Sequence, residues 1–262
     1  MRLRLLPFAC IVLGMMVGAP LWAQGQRDAS TIPDLSGAWR GQPLMSVSTS
    51  DPAGRLRGKE PDIPYQPWAL AKMLAEVPPT GPAGEPHRTT DPWIRYCEPN
   101  GPIRIYAHPG RTSFVQLPDK VLILHEVMQQ FRIVRLNSMH PPLDDLDPSS
   151  WGDSIGWYEN GETLVVDTIG TNGRAWLDQQ GKPTTDKLHV IERFHLVDGG
   201  KTLQVDVHVE DPGAFTVPWN TIQRYGRAEF GPMIEVSCAE GMLNNYFNQD
   251  VEPIPQTNKP DF

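Results

Sequence analysis

Residues 151–210 constrain the fold most strongly, because they read as two consecutive β-hairpins. Apolar and polar residues alternate on either side of each short turn, which is the two-residue period of a strand with one buried face. If residues 198–201 close the second hairpin, Val197 pairs with Thr202 and His189 with Glu210. This register predicts one polar face and one apolar face on a pair of antiparallel strands.

The rest of the chain carries similar strand signals. A first strand is expected around Trp39, and a helix is expected to begin at Pro67, with apolar residues following it at helical spacing. The other candidate strands are 103–106, 112–117, 120–127, 130–136, 153–159, 162–169, 187–197, 202–210, 217–225 and 233–238. The sequence therefore predicts an all-β fold, an antiparallel lipocalin-like barrel or strongly curved sheet of about ten strands with one short helix.

The first 23 residues have the layout of a cleavable secretory signal. Arg2 and Arg4 precede a long apolar run, and small residues lead to Ala23. Residues 24–90 then form an N-terminal extension with the first strand and the helix, residues 91–250 the barrel domain, and residues 251–262 a proline-rich tail expected to be mobile. A periplasmic or secreted protein without a further membrane-spanning segment is expected.

The cysteines are consistent with export. Cys10 leaves with the signal, so Cys97 and Cys238 remain. Disulfides persist in the compartments to which exported proteins go, and a Cys97–Cys238 bridge is predicted. Two buried free thiols are the alternative.

The net charge of the chain limits which kinds of molecule it can bind. The chain has 23 basic and 31 acidic residues, a net charge of −8, and losing Arg2 and Arg4 with the signal makes it about −10. This charge argues against nucleic acid or an anionic membrane surface. A small organic or sugar-like ligand is more consistent with it, and nothing in the sequence calls for a cofactor.

Two glutamates are predicted to interrupt apolar faces. Glu192 is alone among the aliphatic residues of its hairpin face, where a buried carboxylate without a partner costs several kcal/mol. If Met128 and Gln129 form the turn of the 120–136 hairpin, Glu126 joins a second inner face; its other members are Leu122, Leu124, Phe131, Ile133 and Arg135. Two inward carboxylates suit general acid and base chemistry. Alternatively, each accepts hydrogen bonds from an internal arginine or tyrosine and stabilises the core.

Other motifs are weaker. The string GDSIG around Ser154 matches the nucleophile elbow of α/β hydrolases, but a strand rather than a helix is expected after it. Counting back from an Asn160–Gly161 turn places Asp167 opposite Ser154 on the neighbouring strand. His189, Glu192 and His195 resemble a metal motif, but on a strand Glu192 points away from both histidines. No metal site is predicted.

Four strings, DPWIRYCEPNGPIRIY, GETLVVDTIGTN, LHVIERF and EDPGAFTVPW, resemble a largely uncharacterised family of secreted bacterial proteins over residues 91–240. The resemblance implies a lipocalin-like barrel, and Glu126, Glu192, both mature cysteines and His140 match the family pattern. The chain departs from this pattern at Asp153, where histidine is usual, and at Asn160, where the turn is one residue shorter. The resemblance implies no activity.

These observations favour an exported enzyme of the lyase or isomerase type with its site in a barrel pocket. Glu192 and Glu126 are the expected catalytic residues, assisted by His140 or Asp167. The expected ligand-binding residues are Arg95, Arg135 and Trp176. The alternatives are a periplasmic binding or carrier protein, which would have a largely apolar cavity with one anchoring arginine, and a structural barrel with a filled interior.

Overall fold

The computed structural model describes residues 32–41, 63–76, 91–108, 110–178 and 180–228. The predicted signal, the candidate strand 233–238, Cys238 and the tail 251–262 lie outside these residues. No helix in the described part of the chain is both long enough and apolar enough to cross a membrane.

Nine strands form a closed barrel, which confirms the all-β barrel prediction. Each strand pairs with the next in the chain, and β9 pairs with β1. All pairs are antiparallel except β4 and β5, which are parallel and joined by the long 137–152 connection. The strands are β1 Gly37–Gly41, β2 Arg111–Gln116, β3 Lys120–His125, β4 Gln130–Leu136, β5 Asp153–Glu159, β6 Thr163–Ile169, β7 His189–Val197, β8 Thr202–Glu210 and β9 Trp219–Arg227.

Three α-helices accompany the barrel in the described residues: α1 Pro67–Glu76, α2 Pro92–Tyr96 and α3 Gly101–Arg104. A 3₁₀ turn, Ile105–Ala107, follows α3 directly, and we call residues 101–107 the inner segment. The predicted strand 103–106 is therefore wrong. A short apolar run does not distinguish strand from buried helix by periodicity, and Pro102 in the first turn of α3 favours the helix.

The β7–β8 hairpin has the predicted register. Val197 pairs with Thr202 and His189 with Glu210. Val190 and Glu192 are completely buried, whereas the side chain of Arg193 is 41% exposed. The predicted inner and outer faces of this hairpin are confirmed.

The predicted faces of the β3–β4 hairpin are wrong. Leu124 pairs with Phe131, and residues 126–129 form a longer turn in which Met128 and Gln129 have positive φ. Phe131 is 61% exposed and Ile133 is 48% exposed. The buried face contains instead Val121, Ile123, His125, Arg132 and Val134.

The β5–β6 register differs from the prediction by one residue. The loop comprises residues 160–162, so Ser154 pairs with Thr168 and Ile155 with Asp167. A shift of one residue moves a side chain to the other face of the sheet. Ser154 and Thr168 are buried, and Asp167 lies on the opposite face from both.

Candidate functional site

A buried ion pair lies inside the barrel. Glu192 of β7 has no exposed surface, and its Oε2 lies 2.5 Å from Nη2 of Arg132 on β4. The hydroxyl of Tyr106, from the inner segment, donates a hydrogen bond to Glu192 Oε1. Strand alternation directs both charged side chains inward, and each neutralises a charge that would be costly to bury alone.

Two hydroxyl groups hold the guanidinium of Arg132. Its Nε donates to Ser154 Oγ at 2.9 Å, and its Nη2 donates to Thr168 Oγ1. The two hydroxyl oxygens are 3.0 Å apart. Because β6 rather than a helix follows Ser154, the GDSIG string does not form a nucleophile elbow. Ser154 is a binding partner of Arg132.

His125 lies on the same inner face of the barrel wall. Its Nδ1 is 3.1 Å from Thr112 Oγ1, and its ring stacks on Trp151 with 5.1 Å between centroids. Burial, and to a smaller extent the nearby charge of Arg132, lowers the pKa of His125 to about 3. The imidazole is therefore neutral at ordinary pH. Its Nε2 is buried and has no hydrogen-bond partner among the described residues.

Two tyrosines complete the polar side of the interior. Burial and then the charge of Glu192 raise the pKa of Tyr106 well above its usual value. The same two causes, in the same order, raise the pKa of Tyr225 on β9. Their ring centroids are 6.2 Å apart. Both phenols therefore remain protonated and can donate hydrogen bonds.

These side chains surround an internal cavity of about 10 Å³, room for about one water molecule. Five of its ten lining residues are polar and five are apolar. The lining residues are Tyr106, Thr112, His125, Arg132 and Tyr225, together with Ile105, Phe114, Ile123, Phe194 and Leu203. Glu192 does not line the cavity itself but contacts two residues that do, Tyr106 and Arg132.

Glu126 occupies a different place from the one expected. It lies in the turn after β3 and is 2% exposed. Its carboxylate accepts hydrogen bonds from the backbone N of Arg111 at 3.0 Å, from Nε at 2.9 Å and from Nη2 at 2.6 Å. The two glutamates therefore bind different arginines, and Glu126 is not part of the cavity lining.

His140 and Asp167 belong to a network on the outer face of the barrel. Asp153 accepts hydrogen bonds from Arg135 at 2.6 and 2.9 Å, and Nδ1 of His140 is 2.7 Å from the same carboxylate. Nε2 of His140 is 3.5 Å from Asp167 Oδ1, and Nε2 of His189 is 2.8 Å from the same oxygen. The outer network consists of Arg135, Asp153, His140, Asp167, His189 and Glu210.

The groups of the outer network shift one another's pKa values. Burial acts to raise the pKa of Asp167, but hydrogen bonds and charge from His189 and His140 lower it overall. The hydrogen bond with Asp167 raises the pKa of His189 against the opposing effect of burial. Arg135 lowers the pKa of Asp153. Arg135, expected to bind a ligand, is thus engaged with Asp153 on the outer surface.

The remaining predicted residues lie around α2 and the 170–188 loop. Trp176 is buried and lines a second cavity. Arg95 belongs to α2, but its side chain lies outside the described part of the structure. Cys97 follows α2 in a left-handed conformation. Because Cys238 lies outside the described residues, the disulfide stays a prediction.

Sequence reasoning missed four residues of the interior site: Tyr106, His125, Arg132 and Tyr225. Arg132 and His125 follow the inward alternation of β3 and β4, a signal that becomes readable only once the turn length is known. Nothing local marks Tyr106, which reaches Glu192 from a helical segment distant in sequence. In the described part of the chain, no three His, Cys, Asp or Glu side chains are grouped to hold a metal ion.

No protein-family model matches the chain, and no curated protein sequence matches it significantly. These comparisons leave the resemblance to secreted lipocalin-like proteins as a prediction.

Proposed function

We propose that the protein is an exported enzyme that moves protons on a small organic substrate inside the barrel, in the manner of a lyase or isomerase. The observation that carries this proposal is the convergence of titratable groups on one cavity inside the barrel. Tyr106, His125, Arg132 and Tyr225 all line it, and His125 presents a buried, unpartnered Nε2. Convergent titratable groups with shifted pKa values are typical of catalytic sites.

In this proposal Tyr106 and Glu192 act together. Tyr106 takes a proton from substrate carbon while its own hydroxyl proton passes to Glu192 along the existing hydrogen bond. His125 and Tyr225 donate hydrogen bonds to the substrate oxygen on which negative charge develops. A neutral imidazole serves this role through its N–H group, as the low pKa of His125 requires. Arg132 orients Glu192 and balances its charge.

The cavity favours a neutral substrate. Arg132 and Glu192 cancel each other's charge, and Phe114, Ile123 and Phe194 supply an apolar wall. A small carbonyl compound or sugar derivative has the required oxygen and an acidic C–H bond. Because the cavity has room for about one water, a larger substrate requires the inner segment to shift outward.

The proposal places the protein in the periplasm or outside the cell. The signal-like residues 1–23 support export. A Cys97–Cys238 disulfide fits this compartment and would stabilise the fold by ~4 kcal/mol in the chain-entropy treatment. The negative net charge supports a small-molecule ligand over nucleic acid.

A carrier is the second candidate function. The apolar half of the lining, with Arg132 as an anchoring cation, would suit an apolar ligand held without turnover. A barrel with a filled interior is the third possibility, since Tyr106 and Arg132 already occupy Glu192.

The test is exchange of substrate C–H for deuterium in D₂O, followed by proton NMR on a panel of small hydroxycarbonyl compounds and sugar lactones. Tyr106→Phe is expected to reduce exchange by about 10² to 10⁴, the usual contribution of one acid–base group. Tyr158→Phe is the matched control. Its hydroxyl also makes a side-chain hydrogen bond, in this case accepting from Gln116 at 2.8 Å, but Tyr158 does not line the cavity.

The outcomes separate the three functions. Exchange that Tyr106→Phe leaves intact contradicts the catalytic assignment. Saturable binding of a panel compound without exchange establishes the carrier. Neither binding nor exchange, with both variants folded according to circular dichroism, indicates the filled barrel.

A further inference from the structure

A second cavity lies on the other side of the inner segment. Its volume is about 10 Å³, and most of its lining comes from residues 100–104 and from residues 171–173, 175–177 and 184. Ile103, Leu177 and Leu188 contribute apolar surface, and Trp176 adds its indole ring. Ile105 and Tyr106 of the same segment line the first cavity. The inner segment therefore separates two distinct cavities.

Several residues that line this cavity have buried polar atoms without a hydrogen-bond partner in the described part of the chain. Asn100 is 1% exposed, and neither Oδ1 nor Nδ2 of its amide makes a hydrogen bond with a described residue. The same holds for Oγ1 of Thr171, which is 3% exposed, and for Nε of Arg104. Unsatisfied buried polar atoms are rare, and four of them around one cavity indicate a site that a polar group fills.

The two cations near the cavity already have anionic partners. Nη2 of Arg104 lies 2.5 Å from Asp91 Oδ2, and Nζ of Lys182 lies 2.5 Å from Asp178 Oδ2. Each cation thus has a buried anionic partner. Glu98 adds negative charge, since its carboxylate accepts hydrogen bonds from the lining residues Ser150 and Asn172. An anionic ligand would meet this carboxylate while both cations are already paired, so the site favours a neutral group over an anion.

We propose that this cavity, which in this conformation has room for about one water molecule, widens to form a second binding site, selective for a neutral carboxamide or hydroxyl group on a small molecule. The ligand donates a hydrogen bond to Asn100 Oδ1 and accepts hydrogen bonds from Asn100 Nδ2 and Arg104 Nε. Thr171 Oγ1 donates or accepts as the ligand requires. The apolar part of the ligand contacts Trp176. This site does not depend on the catalytic proposal, because its residues are not those of the first cavity.

Formamide and formate provide a matched pair of probes, since they have the same number of heavy atoms and differ in charge. Each is titrated into the full mature chain, and two-dimensional ¹⁵N NMR follows the side-chain amide of Asn100 and the indole N–H of Trp176. Formamide is expected to shift both signals saturably, and formate to leave them unchanged. Absence of a saturable shift with formamide, or equal shifts with both probes, overturns the proposal without any variant.

Two threonine variants test the hydrogen bonding. Thr171→Val removes the unpartnered hydroxyl and is expected to weaken formamide binding by about tenfold, the factor for one lost hydrogen bond. Thr184→Val is the matched control, since Thr184 also lines the cavity but its hydroxyl already donates to the Ala175 carbonyl at 2.8 Å. It should bind formamide as the wild type does. Equal weakening by both variants, or none by Thr171→Val, contradicts the assignment.

Discussion

The interior ion pair and the outer network use the same kinds of side chain in opposite surroundings. Arg132 and Glu192 are 4% and 0% exposed, whereas Arg135 and Asp153 are 41% and 15% exposed. Each arginine lies within 2.6 Å of its carboxylate. Geometry alone therefore does not distinguish the two pairs. The difference lies in solvent, which screens the outer pair and is excluded from the inner one.

This difference changes what each pair contributes. A buried pair gains little over apolar residues of the same shape, but removing one partner leaves a charge that no solvent compensates. A solvated pair loses little when it is broken, because water replaces the missing partner. The interior site should therefore tolerate substitution poorly and the outer network well.

Arg132→Met should have the largest effect on stability. The substitution leaves Glu192 buried without its cation and is expected to lower the free energy of unfolding by ~3–5 kcal/mol. Arg135→Met on the outer face is the control and should lower it by less than about 1 kcal/mol. Urea unfolding at neutral pH measures both.

The double variant Arg132→Met with Glu192→Leu sharpens this comparison. Replacing both charges with apolar groups should recover most of the stability that the single variant loses. Equal losses in Arg132→Met and Arg135→Met, or no recovery in the double variant, would show that burial does not separate the two pairs.

The two hairpins show how much of this site the sequence could predict. The register of β7–β8 follows from its short loop and from strict alternation, and it places Glu192 correctly. The same reasoning fails for β3–β4, where positive φ at Met128 and Gln129 lengthens the turn. Apolar content also misleads there, because exposed Phe131 and Ile133 look like core residues.

Long-range contacts explain the rest of the failure. Arg132 looks like a surface residue until Glu192 is known to lie across the barrel from it. Tyr106 comes from a segment whose sequence is compatible with a strand as well as with the helix observed. Local patterns thus identified a carboxylate in need of a partner, but its partners depend on how distant segments pack together.

The next largest expected effect is a loss of stability at acid pH, caused by the buried His125. His125 has a pKa of about 3 in the folded state against an ordinary 6.5. Between these values the unfolded chain binds a proton that the folded chain does not. Stability therefore falls as pH drops through this range, by up to ~1.4 kcal/mol per pH unit.

In His125→Leu, the free energy of unfolding should fall less between pH 7 and pH 4, as measured by urea unfolding. His195→Leu, which removes a partly exposed histidine on the outer face of β7, is the matched control and should retain the slope. A slope that persists in His125→Leu would assign the acid sensitivity to other groups.

The outer network should have the smallest effect on stability, and this effect should appear as pH rises above 6.5. The pKa of His189 is raised above 6.5, so its contribution is complete below pH 6.5 and is lost as pH rises through the raised value. The pKa of Asp167 is lowered below 3.8, so its contribution is complete above that value and is lost as pH falls through the lowered one. Partial exposure limits the combined contribution of these two groups to stability to below about 1 kcal/mol.

His189→Gln should therefore remove a shallow decline in stability above pH 6.5. It should leave unchanged the loss of stability at acid pH that His125 causes. NMR titration of the His189 ring provides an independent check: an unshifted midpoint would mean that solvent screens this network more completely than its hydrogen bonds indicate.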